Sequence, residues 1–416
     1  MAISKEHIND VIRTLTKKGD VIFLESQSTD HPASKQSFLA ALPEKQITIR
    51  GRMAEIREGE NTYTTRGNAW DIFQQFIDEN DWLFGYLGYD LKNHTEDLVS
   101  HNEDLIGAAD LHFMVPGLLL RITGEEIEFL KGSETQLTEL DSRSDEVRFR
   151  LKNRISRQDY IEQIRRAKHD IREGRYYEIN LSHPLKYEFS GDPLTLYEKM
   201  KASGPVPFGA YMKLDGIHVV SASPERFLKK EGDQVLSQPI KGTAPRDDKY
   251  DEILKRDLRN SEKERAENLM IVDLVRNDLN RIAEKGSVEV IDLFEIQSFK
   301  TVHQMVSTVK CRAKAGISAT DIIRSCFPMG SMTGAPKIAA MKAIEKYEEY
   351  KRGIYSGAIG YIDPEGDFDF NVVIRSAIIK ENTLIYPVGG AITSDSVPED
   401  EWLETLHKSK ALTQAE

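Results

Sequence analysis

The sequence predicts an α+β fold built on antiparallel strands. Two observations carry this. Short strands with period-2 or apolar patterning cluster in the C-terminal half and are joined by brief turns. Helical patterns occur elsewhere, without the regular strand–helix alternation of a doubly wound parallel sheet.

Each element has its own signal. Glu134 to Arg157, rich in Glu, Asp, Arg and Ser, reads as a solvated connection between a 1–150 region and a 151–416 region. A helix begins at Arg157. Ser156 can cap it, Tyr160, Ile161, Ile164, Ala167 and Ile171 recur at helical spacing, and Gly174 stops it. Trp82 to Asp90 reads as a buried strand, Ile217 to Ala222 as a short apolar one, and Tyr355 to Ile362 as an alternating one. Phe370 to Ile379 predicts a single strand with Phe370, Val372, Ile374 and Ile378 on one face. Leu384 to Val388 leads into Gly389-Gly390.

Composition narrows the function. The chain has 416 residues, 30% of them charged, and a formal net charge of −12. A broad basic field for nucleic acid is missing. No apolar run is long enough for a membrane span, and the first twenty residues lack a signal-peptide core. Two cysteines, Cys311 and Cys326, make no disulfide framework, which fits a cytoplasmic protein.

Lys241 is the leading catalytic candidate. It lies in Pro239-Ile240-Lys241-Gly242-Thr243, among small and apolar residues. Burial there predicts a depressed pKa and a nucleophilic amine. Glu225, in Pro224-Glu225-Arg226, is the candidate proton donor.

Two acidic pairs stand out. Glu264 and Glu267 share a helical face with Ile271 and Leu274. Such carboxylates either complement the helix dipole or point inward and need a cation. Glu401 and Glu404 repeat the spacing, with Lys408 one turn beyond Glu404, which also reads as a surface ion pair. Together the four could form an all-oxygen site suited to Mg²⁺. Arg375, inside an apolar strand, reads as either a paired structural residue or a carboxylate fork. Gly389-Gly390-Ala391 reads as a turn or as an anion cradle. Phe327 to Lys337 fails the phosphate-loop spacing and reads as a helix start capped by Ser331 or Thr333, with Lys337 structural.

In this order the segments resemble the chorismate-utilising enzymes. The matching stretches are Pro224-Glu225-Arg226-Phe227, Pro239 to Thr243, Ile271 to Asp278, Phe327 to Lys337, Tyr355 to Gly360 and Asp395 to Lys408. The resemblance implies two antiparallel sheets packed face to face with helices outside. It implies that Glu267 and Glu404 ligate Mg²⁺, with Glu264 and Glu401 close by. It gives Tyr355, Arg375, Lys408 and the backbone at Gly389, Gly390 and Ala391 to the enolpyruvyl carboxylate of chorismate. Gly242, Thr243 and His303 would line the ring. Pro207-Phe208-Gly209 departs from the Pro-Tyr-Met segment of relatives that bind tryptophan.

Within the family, Lys241 looks like the aminodeoxychorismate synthases; anthranilate synthases commonly have alanine there. The implied reaction is attack of Lys241 on C2, loss of the C4 hydroxyl, and entry of ammonia at C4. Glu178 stands where the water-using members have a lysine base and the ammonia-using members usually have glutamine. It could steer ammonium, accept its proton, or pair with Lys241. Neither cysteine sits in a glutaminase elbow, so the resemblance implies a separate glutamine amidotransferase subunit. Anthranilate synthase and a non-catalytic chorismate- or tryptophan-binding subunit are the alternatives.

Overall fold

The computed structural model describes residues 7–27, 36–137, 140–142 and 146–415. Among these, 21 strands join one antiparallel hydrogen-bonded network, with helices around it. This is the α+β, antiparallel architecture expected.

The central strands are apolar on both faces, whereas Asn61–Arg66 and Glu289–Ser298 are largely exposed. Neighbouring residues on one strand point into different cores. Ile378 packs with Phe73, Phe113, Phe227 and Phe370, whereas Ala377 and Ile379 pack with Phe23, Leu39, Tyr187 and Tyr386. The apolar run read at 217–222 is strand Ile217–Ser223, and its partner is Ser376–Lys380.

The chain is interleaved. Strand Val21–Glu25 pairs with Phe208–Leu214, and Leu83–Leu87 with Ala358–Ile362. Trp82 to Asp90 therefore contains a buried strand, followed by a short 3₁₀ turn at Tyr89–His94.

The helix from Arg157 forms as read, over Arg157–Arg172, and the Ser156 hydroxyl accepts from the Asp159 amide. Such a cap contributes about 1 kcal/mol. The helix Glu262–Ile282 begins the same way, at Ser261, and buries Ile271, Val272, Val275, Leu279 and Ile282.

Two readings are corrected. The stretch 370–379 is two strands, Phe368–Asn371 and Ser376–Lys380. Between them the backbone leaves the ladder, and Arg375 adopts a left-handed φ of 51°. The hydrophobic pattern crosses this break unchanged because both sides of it are buried. The connection 134–157 is also partly structured. Strand Arg148–Asn153 pairs with Glu178–Ser190, while positions 138, 139 and 143–145 lie outside the described residues. No helix is long and apolar enough to cross a membrane among the described residues.

Candidate active site

Strand Glu178–Ser190 and strand Thr383–Ile392 form one wall, with Gly389 opposite Ser182 and Gly390 opposite Leu181. The last helix, Pro398–Thr413, packs against it. Strand Ile240–Pro245 and helix Glu262–Ile282 lie against each other nearby. Glu178, Lys241, Glu264, Glu267, Glu401, Glu404, Lys408 and the Gly389–Ala391 backbone lie on these elements.

Lys241 Nζ lies 2.9 Å from Glu178 Oε1, in a pair almost sealed from solvent. The depressed pKa expected for Lys241 is not observed. Burial acts in that direction, but the Glu178, Glu267 and Glu225 carboxylates outweigh it, and the amine is held above its usual range. Of the three roles open to Glu178, pairing with Lys241 is the one realised here.

Glu225 is 4% exposed. Burial pushes its carboxyl up to about 7, against the opposing influence of Ser331, Lys241 and Arg375. The Ser331 hydroxyl donates to Glu225 Oε1 at 2.6 Å. Ser331 is therefore not a helix cap. Thr333 is not one either: its hydroxyl bonds back to the Met329 carbonyl, and helix Lys337–Tyr347 starts after Pro336 without a side-chain cap. Lys337 pairs with Asp278 at 2.6 Å, the structural role expected.

The two acidic pairs converge. A Cβ placed on Gly390 would stand 3.3 Å from Glu401 Oε2 and 3.4 Å from Glu404 Oε1. On the other side, a Cβ on Gly242, whose φ is +89°, would stand 2.9 Å from Glu264 Oε2. Both glycines clear space for carboxylates. Burial raises Glu264, and repulsion from Glu404 on the distant helix adds to it. Burial, with Glu264 and Glu178, pushes Glu267 up to about 7. Burial and Glu404 raise Glu401. Glu404 is lowered: burial opposes this, but Lys408, 2.6 Å from it, prevails.

This donor set fits a hard divalent cation. It has carboxylate oxygens in excess of nearby positive charge, and Glu401 Oε2 is buried without a hydrogen-bond partner among the described residues. Among the described residues no three acidic, histidine or cysteine side chains already form a coordination shell. A cation here would need oxygens from water or substrate as well.

The backbone donors can be sorted by strand geometry. In an antiparallel strand a residue's N–H and C=O share one edge. The Gly389 carbonyl accepts from Lys408 Nζ at 2.8 Å, and the Ser182 amide opposite is taken by Glu348. The Gly389 and Ala391 amides thus face the edge where Lys408 sits, and the Gly390 backbone faces the neighbouring strand. Gly390 supplies room rather than a donor.

The Arg375 guanidinium forms no hydrogen bond or ion pair among the described residues, although its backbone carbonyl accepts from the Ala222 amide. Asp369, a candidate structural partner along with Glu365, is bound by Arg226 at 2.9 Å instead. Burial lowers its pKa, against the pull of Tyr386 and Glu225. Tyr355 is buried beside Arg352. Thr243 is exposed, opposite Gln304. His303 is fully buried, with its ring nitrogens 2.8 Å from Ser298 and from Asp251. It buttresses the strand opposite Ala244 instead of lining an open surface.

Sequence reasoning missed three contributors. Ser331 was legible only as a cap. Asp251, which grips His303, has no motif. Lys263 lies 3.9 Å from Glu267 and feels all four glutamates, and its spacing one turn before Glu267 was a readable signal.

Comparison with known proteins agrees with this arrangement. Residues 19–414 match the family model of chorismate binding enzymes. Aminodeoxychorismate synthase component 1 of Klebsiella aerogenes is 32% identical, over 93% of this chain and 91% of its own. Anthranilate synthase component 1 of Aquifex aeolicus is 31% identical, over 96% and 90%. The crystal structure of anthranilate synthase component I from Streptococcus pneumoniae superposes with a TM-score of 0.79 at 27% identity, covering 93% of each chain.

Proposed function

The chain belongs to the chorismate-binding enzymes, and from that premise we propose that it is an aminodeoxychorismate synthase component I. It would convert chorismate and ammonia to 4-amino-4-deoxychorismate, the precursor of 4-aminobenzoate and so of folate. The observation that carries this reading is Lys241, buried against Glu178 with the protonatable Glu225 close enough to influence its charge.

Arg375, Tyr355, Lys408 and the Gly389 and Ala391 amides orient the enolpyruvyl carboxylate. Lys408 leaves the Gly389 carbonyl to do so. Glu267 and Glu404, with Glu264 and Glu401 beside them, would hold Mg²⁺, which would supply positive charge towards the ring carboxylate. Lys241 passes a proton to Glu178, its partner at 2.9 Å, and the freed amine attacks C2. The ring double bonds shift, the C4–O bond breaks, and Glu225 gives the departing hydroxyl a proton, so that it leaves as water. Ammonia then forms a bond to C4. The double bonds shift back, the C2–N bond breaks with its electron pair returning to the Lys241 amine, the C4 ammonium returns a proton to Glu225, and Glu178 returns one to Lys241.

The name "component 1" of the relatives supports a second subunit, which we propose is a glutamine amidotransferase delivering ammonia. Anthranilate synthase is the competing reading, favoured by the near-equal similarity of its component 1. The purified chain, chorismate, Mg²⁺ and ammonium, with products identified by mass, decide between them. Amination at C4 with the enolpyruvyl group retained is expected. Pyruvate release with a fluorescent product would overturn the assignment.

A further inference from the structure

A second cavity, of about 390 Å³, lies between the Gly389-bearing wall and the last helix. It is bounded by strands Arg148–Asn153, Glu178–Ser190 and Thr383–Ile392 and by the last helix. Its size falls in the range of about 300–1,000 Å³ typical of small-molecule sites.

The last helix sets the cavity apart from the cleft: Glu401, Glu404 and Lys408 lie on one face of it, and Thr405, Leu406, Ser409 and Thr413 on another. Ser182 turns to the Glu348 network, and His183, the next residue, turns the opposite way into this cavity's lining. His183 is 2% exposed, and among the described residues neither ring nitrogen has a partner in hydrogen-bond geometry. The ring stacks on Trp402, with centroids 5.8 Å apart. Burial pulls its pKa down to about 4, although the nearby Pro184 carbonyl favours a proton.

The rest of the lining is selective in charge. Phe149 and Tyr187, in edge-to-face contact at 5.6 Å, give it an aromatic floor. Arg150 and Arg154 stand at the rim, and the Ser409 hydroxyl, also in the lining, donates to the Leu406 carbonyl. Among the described residues no aspartate or glutamate lines it, in a chain of net charge −12. Arg150 lies within electrostatic reach of Glu188, whereas Arg154 covers the Trp402 face and has no carboxylate partner among the described residues.

We propose that this cavity binds a small ring-bearing carboxylate, separately from the chorismate cleft. The ring packs on Phe149 and Tyr187, and the carboxylate takes Arg154. The site does not depend on which reaction the cleft catalyses.

Calorimetric titration of the full chain with benzoate tests it, with benzyl alcohol as the uncharged control. Saturable binding of one benzoate per chain is expected, with benzyl alcohol at least about tenfold weaker. Arg154→Gln, on the surface, and Ser409→Trp, which fills the cavity, should each weaken benzoate by about tenfold or more, whereas Arg375→Ala in the cleft should leave it within about twofold. Absence of saturable binding, or loss in Arg375→Ala with retention in Arg154→Gln, would overturn the proposal.

Discussion

Lys241 and Glu178 come from strands far apart in the chain, yet their charged atoms lie 2.9 Å apart in near-complete burial. The pair makes the lysine a resting cation and places its proton acceptor in contact with it. A nucleophile stored in this way is protected until the proton moves.

Lys241→Ala should abolish or redirect amination while leaving chorismate affinity within about threefold, since the substrate-orienting groups are untouched. It also leaves Glu178 buried without its cation. A loss of about 3–5 kcal/mol is the upper range for breaking such a pair. Product analysis by mass and denaturant melts check both effects. An unchanged product at an unchanged rate would remove the covalent mechanism.

Glu178→Gln removes the largest influence raising the Lys241 pKa. The neutral amine becomes available at lower pH, so the rising limb of the pH–rate profile should move towards acid. The maximal rate should fall, because the proton acceptor is gone. A rising limb at the wild-type position in the variant would show that this pair does not govern the nucleophile.

Glu225 gives the opposite limb. A donor must be protonated, so activity should decline as pH rises through about 7. Glu225→Gln should lower the rate by about 10²–10⁴-fold and erase that limb. Stability follows the same group. Its folded pKa lies above the ordinary value of 4.5, so its contribution is complete below about 4.5 and is lost as pH rises through about 7. Glu225→Gln should therefore lose less stability than the parent between pH 5 and 8, by an amount on the order of 1–3 kcal/mol. Parallel denaturant curves at the two pH values decide this.

Glu267→Gln should weaken Mg²⁺ dependence and activity together, raising the metal concentration for half-maximal rate by about tenfold or more. The check is a Mg²⁺ titration of initial rates in both proteins. Full activity of the parent after exhaustive chelation would defeat the assigned ligands.

Much of this site was legible in the sequence because its chemistry is local. Glu264 and Glu267 declare one helical face, and Glu401, Glu404 and Lys408 declare another. That the two faces meet at Gly390 and Gly242 is a long-range fact that no local pattern carries. The Lys241 pKa was misread for the same reason: its apolar neighbours are adjacent in sequence, but the carboxylate that outweighs them is not. Arg375 was placed in a strand because hydrophobic alternation continues through 372–375. A left-handed non-glycine residue leaves no mark on that alternation. The Ser156 cap and the helix after it were read correctly because cap and periodicity lie within a few residues of each other.

The interleaving of Val21–Glu25 with Phe208–Leu214, and of Leu83–Leu87 with Ala358–Ile362, has a cost during synthesis. These early strands leave the ribosome long before their partners exist, with unpaired apolar edges exposed in the interval. Assembly is bound to be late and slow. Yield in a host should respond to growth temperature and chaperone supply more than to any single substitution on the surface.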